Sequence, residues 1–260
     1  MMYKEESPHW AGHKIIYDKQ IDSTNEAAKR AGDAGEVYGT VFRADRQTAG
    51  KGRRGRSWHS EEENNLYFTI LLKPELSPEK TSMLTLVMAY AVAKAIRECI
   101  GLEAMIKWPN DIVVNGRKVC GILSEMKLEG MAVDYCVIGV VVNVGQKEFQ
   151  EDIQEMATSL SVESGKEIDC TLLLQAVLSC FEQAYGSFMR AGSLAPLQKE
   201  YNTLLINRDR QVRVLDPKGE YEGIARGITE TGELMVETAE GVCQKVYAGE
   251  VSVRGLYGYV

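Results

Sequence analysis

The sequence predicts an α+β fold: a mixed β-sheet with flanking helices over residues 1–206, followed by a small β-barrel over residues 207–260. The first observation is the order of segments. A strand, a helix and then several consecutive strands predict a mixed sheet, not the strict alternation of a doubly wound fold. The second observation is a change of pattern after residue 206. Short strands separated by Gly and Asp-Pro predict the small all-β barrel there.

Local signals predict the first helix and its neighbouring strands. Residues 14–19 are typical of a short strand. Ser23 and Glu26 have the S-x-x-E spacing of a capping box, which predicts that a helix begins there. Further strands are predicted at 39–45, before a basic loop, and at 66–72, where aromatic and β-branched residues indicate burial. The first helix therefore lies between two strands.

Two long helices are predicted further along the chain. Ser77 as N-cap and Pro78 in the first turn begin a helix that runs to about Ile100, and Gly101 ends it. Apolar residues at helical spacing predict a second long helix over 171–189. The remaining segments of the first part are four strands and a short helix, at 104–108, 111–114, 119–126, 135–144 and 195–205.

Composition and charge exclude several classes of protein. The chain has 260 residues, 45% of them hydrophobic, and a net charge of −7, which argues against a general nucleic-acid binder. Its six cysteines include no C-x-x-C pair and it has only three histidines, so we expect no zinc or other protein-held metal. The sequence has no secretory signal and no apolar run long enough to span a membrane. We therefore expect a cytoplasmic protein with reduced thiols.

The stretch AGKGRRGRSW, residues 49–58, is a local exception to the acidic balance, and we call it the basic loop. Gly50–Gly55 formally matches G-x-G-x-x-G, but no helix begins inside it, which argues against a dinucleotide site. The P-loop pattern also fails. A solvated basic turn is the simplest alternative. Because four crowded cations repel one another, while glycine N–H groups and arginines bind phosphate well, we interpret the loop as phosphate-binding.

A second signal is KWPNDIVVNGRKVCGIL, residues 107–123. Trp108 to Asp111 predict a turn between two strands, and Lys118 begins the next strand. An ordinary hairpin turn with a solvated Lys118 would explain this stretch if it stood alone. Its meaning therefore depends on the other stretches.

Taken together, these stretches resemble the biotin–protein ligase family, and the resemblance extends from about Tyr17 to the C-terminus. The ordered set is specific, although no single stretch is decisive. The stretches are DSTNEAA (22–28), AGKGRRGRSW (49–58), NLYFTILL (65–72), KWPNDI (107–112), RKVCGIL (117–123) and GVVVNV (139–144). MATSL (156–160) is similar to the family's segment over the adenylate, and EGIARGITETGEL (222–234) resembles its C-terminal barrel.

The resemblance implies a fold related to class II aminoacyl-tRNA synthetases, with an SH3-like barrel at the C-terminus. It also implies a two-step reaction. The carboxylate of biotin attacks the α-phosphate of ATP, supplied with Mg²⁺, and gives biotinyl-5′-AMP and pyrophosphate. A lysine amine then attacks the mixed anhydride and releases AMP. The implied acceptor is the biotin carboxyl carrier domain of acetyl-CoA carboxylase or a related carboxylase.

The resemblance further implies the site residues. Arg53 and Lys118 are the catalytic residues, at the reacting phosphate and carboxylate. The residues implied for biotin are Ser23, Thr24, Asn25, Gln47, Gly50, Lys51, Gly52, Arg53, Lys118, Gly121 and Leu123. The residues implied for ATP and the adenylate are Lys51, Arg53, Arg54, Arg56, Trp58, Asn110, Lys118 and Asn143. Two local alternatives stay open: Ser23 as a helix cap and Trp58 as core packing.

The chain departs from the family pattern in two ways. The family usually has arginine where this chain has Lys51, so the charge remains but the planar fork is lost. Some bacterial members also have an N-terminal helix-turn-helix domain that represses biotin genes. The short segment before Tyr17 has no room for such a module. We therefore expect a monofunctional ligase that binds no DNA.

Three other functions are weighed against biotin ligation. A lipoate–protein ligase shares the adenylation logic, but GRRGRSW with KWPND favours biotin. An RNA-binding module is disfavoured by the acidic charge, and a non-catalytic biotin sensor would not need Arg53 and Lys118. We expect the apolar stretch 137–144 to form a sheet edge that pairs with the carrier domain or with a second subunit. Monomer and homodimer are both left open.

Overall fold

The computed structural model describes residues 9–55, 58, 64–216, 219–248, 252–255 and 259–260, without the side chains of residues 54 and 252. Seven strands form the first sheet: β1 (Ile15–Ile21), β2 (Val41–Gln47), β3 (Leu66–Leu72), β4 (Met105–Lys107), β5 (Asp111–Val114), β6 (Arg117–Glu129) and β7 (Ala132–Val142). Their order across the sheet is β1-β2-β3-β7-β6-β5-β4. β1 and β2 are parallel and the other neighbours are antiparallel, so the sheet is mixed, as predicted.

Helices cover both faces of this sheet. The described helices are α1 (Thr24–Asp33), α2 (Pro78–Ser82), α3 (Leu84–Ile100), α4 (Leu160–Ser164), α5 (Cys170–Ala191) and α6 (Ala195–Leu204). α1 packs against β2, β3 and β7 on one face, whereas α3 packs on the other face with α5 beside it. Within the described ranges, none of the helices has the length and apolar character needed to cross a bilayer.

β3 is buried along its whole length because both faces of the sheet are covered. Leu66, Phe68 and Ile70 belong to the large core that contains α3 and α5. Since side chains alternate along a strand, Tyr67 and Thr69 lie on the opposite face, where α1 packs. A buried hydroxyl at Thr69 therefore needs polar partners from α1, which positions the site described below.

The C-terminal part contains a second, five-stranded antiparallel sheet. Its strands are β8 (Gln211–Leu215), β9 (Tyr221–Ile228), β10 (Leu234–Glu237), β11 (Cys243–Val246) and β12 (Ser252–Gly255). They are ordered β11-β10-β9-β8-β12. In the part of the chain that the structure describes, no pairing joins β11 to β12. The separate antiparallel sheet agrees with the predicted module, and its closure into a barrel stays a prediction.

The two sheets are joined by buried contacts. Trp108, at the end of β4, donates its backbone N–H to the Asn207 Oδ1 atom at 3.0 Å and its indole N–H to the Gly232 carbonyl at 3.1 Å. Apolar residues of both parts belong to one continuous core. α6 ends at Leu204 and the next strand begins at Gln211, which is compatible with the predicted boundary between residues 206 and 207. That boundary stays a prediction.

Two predictions about helices are wrong. The helix predicted from Ser77 to Ile100 is two helices, which Met83 separates, although the Ser77 hydroxyl caps the first of them as predicted. The predicted capping box is also absent: Ser23 makes no side-chain cap, and the Glu26 carboxylate lies 2.6 Å from Lys29 Nζ. Lys29 and Lys51 both pair with the Glu26 carboxylate, and these two charge-assisted contacts outcompete the single one that the capping box would supply.

The stretch 137–144 was predicted to form a sheet edge, and this prediction is also wrong. β7 lies in the interior of the sheet, between β3 and β6, and its backbone pairs on both sides. In the described chain, β1 and β4 are the outer strands of this sheet. An apolar run indicates burial, but burial on both faces of a central strand satisfies that pattern as well as an edge does.

Candidate active site

A row of residues across the α1 face of the sheet has a glycine at its centre. Thr69 of β3 pairs with Gly139 of β7, and Gly139 pairs with Leu123 of β6. Asn25, near the start of α1, lies directly on this glycine. A Cβ atom at position 139 would be 2.0 Å from the Asn25 Oδ1 atom, so only glycine leaves room for the amide.

Four polar side chains, Thr24, Asn25, Gln47 and Thr69, are hydrogen-bonded to one another here, and we call them the polar cluster. Gln47 Oε1 accepts from the backbone N–H and the hydroxyl of Thr24, at 2.9 and 3.1 Å. The Thr69 hydroxyl lies 2.8 Å from Thr24 Oγ1 and 2.6 Å from Asn25 Oδ1. All four residues are buried. Because each group holds its neighbour, the cluster is fixed before any ligand binds.

The amide of Asn25 is oriented by further contacts. Its Nδ2 atom donates to Glu125 Oε2 at 2.8 Å and lies 3.3 Å from the Leu123 carbonyl oxygen. Lys29 Nζ lies 3.0 Å from the other oxygen of Glu125. Since the nitrogen donates on one side, the Asn25 oxygen must accept on the other, which is where the Thr69 hydroxyl lies. Ser23, next in the chain, is also buried.

A second row lies beside the first and also has a glycine. In this row Tyr67 pairs with Val141, Val141 with Gly121, and Gly121 with Asp111. The ring of Trp58 covers the glycine, and a Cβ atom at position 121 would be 2.6 Å from the Trp58 Cζ3 atom. Because Gly121 and Gly139 have no side chains, the two rows leave a flat surface on the sheet, which we call the cavity floor. The side chains of Asn25 and Trp58 lie on this floor.

Lys107, Asp111, Lys118 and Tyr259 meet at the end of the second row, and we call them the charged cluster. Lys118 Nζ lies 2.7 Å from Asp111 Oδ1. The hydroxyl of Tyr259 donates to Asp111 Oδ2, and its ring lies 3.6 Å from Lys107 Nζ. The alternative of a solvated Lys118 is wrong, since its side chain is only 22% exposed.

The charge balance of this cluster favours an anion. Burial alone would raise the pKa of the Asp111 carboxyl, but the nearby Lys118 and Lys107 ammonium groups hold that pKa below its usual range. The carboxylate is therefore ionised at neutral pH. Two ammonium groups share this one carboxylate, so a positive charge is left for a ligand.

The basic loop is held on both sides of the cavity. Lys51 Nζ lies 2.5 Å from Glu26 Oε1, at the start of α1. Arg53 Nη1 donates to Asn110 Oδ1 at 2.8 Å, and Asn110 Nδ2 donates to the Ile122 carbonyl at 3.1 Å. Asn110 thus orients the Arg53 guanidinium from the turn between β4 and β5, although the two residues are far apart in the sequence.

Trp58 closes the loop over the second row. Its backbone N–H donates to the Gly50 carbonyl at 2.9 Å, and its ring centre lies 4.7 Å from Lys118 Nζ. An ammonium group at this distance is attracted by the ring face. Trp58 therefore contacts both the floor of the cavity and the charged cluster.

The MATSL segment fixes the backbone of Lys118. The N–H of Lys118 donates to the Met156 carbonyl at 2.7 Å, and its carbonyl accepts from the Thr158 N–H at 2.9 Å. Asn143 is tied to the same segment, because its Nδ2 atom donates to the Thr158 carbonyl at 3.1 Å. The segment pairs with the start of β6 and fixes the backbone from which the Lys118 side chain extends.

These groups line one cavity of about 790 Å³. Most of the site residues predicted from the sequence lie on its wall; they are Ser23, Thr24, Asn25, Gln47, Lys51, Gly52, Arg53, Trp58, Asn110, Lys118, Gly121, Leu123 and Asn143. Gly50 does not line the cavity, and its carbonyl group accepts a hydrogen bond from the Trp58 N–H within the basic loop. Arg56 and the side chain of Arg54 lie outside the described part of the structure.

The cavity wall also contains residues that sequence reasoning did not select. Lys107 and Asp111 belong to the quoted KWPND stretch, so the signal was present, but it was assigned to a turn. Phe149 and Ile153 come from the irregular segment between β7 and the MATSL stretch, which has no local pattern. Tyr259 is the penultimate residue, and only the tertiary structure brings it to the charged cluster.

The cavity therefore combines two kinds of chemistry. One end offers neutral amides and hydroxyls, which suit an uncharged polar head group. The other end offers Arg53, Lys107 and Lys118 with one paired carboxylate, which suits a phosphate. In the described residues, no three His, Cys, Asp or Glu side chains are arranged to hold a metal ion. A cavity with a neutral polar end and a cationic end suits the joining of two bound ligands. That reaction needs no nucleophile from the protein.

The fold and this cavity define a ligase catalytic domain. The sequence model of the biotin/lipoate A/B protein ligase family matches residues 17–143, and that of the biotin protein ligase C-terminal domain matches residues 209–254. The bifunctional ligase/repressor BirA of Bacillus spizizenii is 37% identical over 93% of this chain and 74% of its own length. The chain belongs to the biotin protein ligase family.

Two further similarities agree with this assignment. The biotin–[acetyl-CoA-carboxylase] ligase of Paracoccus denitrificans is 31% identical over 91% of this chain and 99% of its own length. The structure of the biotin protein ligase from Aquifex aeolicus in complex with biotin and ATP superposes with a TM-score of 0.81. It is 31% identical and covers 94% of this chain and 99% of that one.

Proposed function

We propose that this protein is a biotin protein ligase that activates biotin with ATP to biotinyl-5′-AMP and transfers the biotinyl group to a lysine. The observation that supports this most directly is the arrangement of the polar and charged clusters on adjacent rows of one cavity floor. A substrate with a neutral head and an anionic tail would place its carboxylate beside Lys118. The related Aquifex structure binds both biotin and ATP.

In the first step the biotin carboxylate attacks the α-phosphate of ATP, and the bond from that phosphorus to the pyrophosphate oxygen breaks. The two reacting groups are both anions, so the protein must offset their repulsion and the charge that develops on the phosphate. We assign this role to Arg53 and Lys118. Asn110 and Asp111 hold these two cations at 2.8 and 2.7 Å, so little reorganisation is needed when the substrates bind.

In the second step the neutral amine of the acceptor lysine attacks the biotinyl carbonyl carbon. The carbon–oxygen bond to AMP breaks, the amide forms, and a proton is released from the amine. Water would compete for the same anhydride, so the basic loop must cover it until the acceptor arrives. Lys51, Gly52 and Trp58 lie on the cavity wall in positions to do this.

The ureido ring of biotin has one carbonyl and two N–H groups, which need both donors and acceptors. We propose that Ser23, Thr24, Asn25 and Gln47 bind this ring, since their amides and hydroxyls supply both. Gly121 and Leu123 would line the bicyclic body of biotin from β6. Trp58 and Asn143 would contact adenine; the Asn143 amide already bonds the Thr158 carbonyl.

Magnesium would enter with ATP. The cavity offers the carboxylates of Asp111 and Asp152 but no ready-made cage of three acidic side chains in the described residues. Mg²⁺ prefers sites that combine one or two carboxylates with substrate phosphates. These residues therefore fit a MgATP complex whose metal is held chiefly by the nucleotide.

The proposed acceptor is the biotin carboxyl carrier domain of a carboxylase. The Paracoccus relative is a biotin–[acetyl-CoA-carboxylase] ligase, which supports this class of partner. The interior position of β7 removes the docking edge expected from the sequence. The outer side of β4 is paired with the chain after α6, because the Ile206 N–H donates to the Ile106 carbonyl at 2.9 Å. β1 is therefore the outer strand that we propose for a carrier domain or for a second subunit. β1 has two exposed apolar side chains, Ile15 and Tyr17.

ATP–pyrophosphate exchange with biotin or lipoate tests the first step. Mass spectrometry of an apo-carrier domain tests the second. We expect biotin, not lipoate, to support exchange, and we expect one biotinyl-lysine on the carrier. Arg53→Ala and Lys118→Ala should each reduce exchange at least about tenfold, near 1.4 kcal/mol.

Lys127→Ala is the control for these variants, because Lys127 pairs with Asp33 on the surface and does not line the cavity. It should exchange like the wild type. Exchange supported only by lipoate would favour a lipoate–protein ligase. An absence of any adenylate from the wild-type protein would refute the proposed activity.

A further inference from the structure

Tyr259, the penultimate residue, reaches the charged cluster from the C-terminal sheet. Its hydroxyl donates to Asp111 Oδ2, and its ring lies 3.6 Å from Lys107 Nζ. These partners lie at the two ends of the turn between β4 and β5, in the first part of the chain. Tyr259 lies beyond residue 254, the last one matched by the family model of the C-terminal domain.

The chain end is held in this position by close backbone contacts. A Cβ atom at Gly255 would lie 2.1 Å from the carbonyl oxygen of Val260, so the last residue packs directly on the end of β12. A Cβ atom at Gly116, in the turn before Lys118, would lie 3.3 Å from a methyl carbon of Val260. The contacts on both sides of Val260 keep Tyr259 at the cavity.

Tyr259 donates a hydrogen bond to the Asp111 carboxylate on the oxygen that is not ion-paired with Lys118. Lys118 Nζ lies 2.7 Å from Oδ1, and the Tyr259 hydroxyl occupies Oδ2. A carboxylate that is held at both oxygens cannot rotate about its last bond, so the direction in which it holds Lys118 is fixed. Loss of the hydroxyl would leave one oxygen of this carboxylate, whose side chain is 14% exposed, without this donor.

The ring of Tyr259 acts on the other cation. Lys107 and Lys118 are both close to Asp111, so they compete for one carboxylate. An aromatic face within about 6 Å of an ammonium group attracts it. The ring thereby stabilises Lys107 where it lies, and Asp111 stays paired with Lys118.

We propose that Tyr259 is a positioning residue for the adenylation step, which acts through Asp111 on the ammonium group of Lys118. This inference rests on the proposed function, because it assigns Lys118 to the reacting phosphate and carboxylate. It concerns the first step only. Transfer from biotinyl-5′-AMP already formed does not need the α-phosphate to be attacked, and the polar cluster is untouched by Tyr259.

The test compares Tyr259→Phe with Tyr259→Leu in the 260-residue chain, by biotin-dependent ATP–pyrophosphate exchange. Phenylalanine keeps the ring over Lys107 and removes only the hydroxyl, so we expect kcat to fall about fivefold. Leucine removes both, and we expect a fall of about tenfold or more. In both variants the KM for biotin should stay within about twofold, because the polar cluster is intact.

Tyr247→Phe is the matched control, since Tyr247 is 64% exposed on the C-terminal part and does not line the cavity. It should behave as the wild type. Transfer of preformed biotinyl-5′-AMP to the apo-carrier should be equal in all the variants. The inference is overturned if Tyr259→Phe exchanges at the wild-type rate or faster, or if transfer falls with exchange. A wild-type protein that makes no adenylate would instead refute the proposed function itself.

Discussion

The polar cluster and the charged cluster lie on neighbouring rows of one sheet, yet they are assembled differently. Two members of the polar cluster, Thr24 and Asn25, are consecutive residues of α1, and all four precede residue 70. The charged cluster joins Lys107, Asp111 and Lys118 of the first sheet to Tyr259, which lies beyond β12. The first cluster contains only neutral groups, whereas the second contains two ammonium groups and a carboxylate.

The difference follows from the cost of burial. A buried amide or hydroxyl is satisfied by one or two hydrogen bonds, which neighbouring elements can supply. A buried charge needs an opposite charge and further donors around it, and these come from several segments of the chain. Neutral recognition therefore needs few partners for each group, whereas each buried charge needs several, from separate segments of the chain.

The largest expected effect tests whether the polar cluster depends on the space above Gly139. We expect Gly139→Ala to weaken biotin binding about 100-fold, near 2.7 kcal/mol, because the new Cβ would displace Asn25 from its hydrogen bonds. Calorimetric titration with biotin measures this. Gly186→Ala is the control, since its Cβ would meet only the end of Arg190, at 3.3 Å, and it should bind like the wild type. Wild-type affinity in Gly139→Ala would contradict the role of the cluster.

The next largest expected effect tests whether Asn110 orients Arg53 of the basic loop. We expect Asn110→Ala to lower the rate of adenylation about tenfold, because Arg53 loses the acceptor at 2.8 Å that orients it. Biotin affinity should change little. Asn110→Asp keeps an acceptor for Arg53 but loses the donor to the Ile122 carbonyl, so it should recover part of the rate. If alanine and aspartate have equal effects on pyrophosphate exchange, Arg53 is not oriented by this contact.

A smaller effect tests the hydroxyl at the centre of the polar cluster. We expect Thr69→Val to lower the free energy of unfolding by about 1 kcal/mol, because Thr24 and Asn25 both lose a partner. Thr40→Val makes the same change at another fully buried position, where the hydroxyl has no hydrogen-bond partner in the described structure. It should be neutral or stabilising. Urea unfolding of the two variants decides this, and equal losses would contradict it.

The smallest effect concerns pH and the charged cluster. The folded-state pKa of Asp111 is below its ordinary value of 3.8, so its contribution to stability is present above that pH and is lost as the pH falls through the folded value. The free energy of unfolding of the wild type should therefore fall more steeply than that of Asp111→Asn as the pH is lowered from about 5 through 3.8 and below. Parallel pH dependences of the two proteins in urea unfolding would show that Asp111 does not contribute.

Local patterns predicted most of the elements in the sequence. The strand at 66–72 and the helix around 171–189 were found within a residue or two, because their apolar residues repeat at the period of the element. The capping box at Ser23 failed because Lys29 and Lys51 both reach Glu26. The break between the two helices at Met83 was not predicted, because the apolar pattern continues through it. Propensity describes one segment, whereas these outcomes depend on its neighbours.

The sequence by itself determined the family and the mixed sheet, since these depend on ordered motifs and on hydrophobic periodicity. Most of the site residues that it named lie on the cavity wall. Only the tertiary structure decided that β7 is a central strand, that Asn110 holds Arg53 and that Tyr259 holds Asp111. Arg53 and Asn110 are 57 positions apart in the sequence, and Asp111 and Tyr259 are 148 positions apart. A local sequence pattern cannot indicate contacts between residues so far apart.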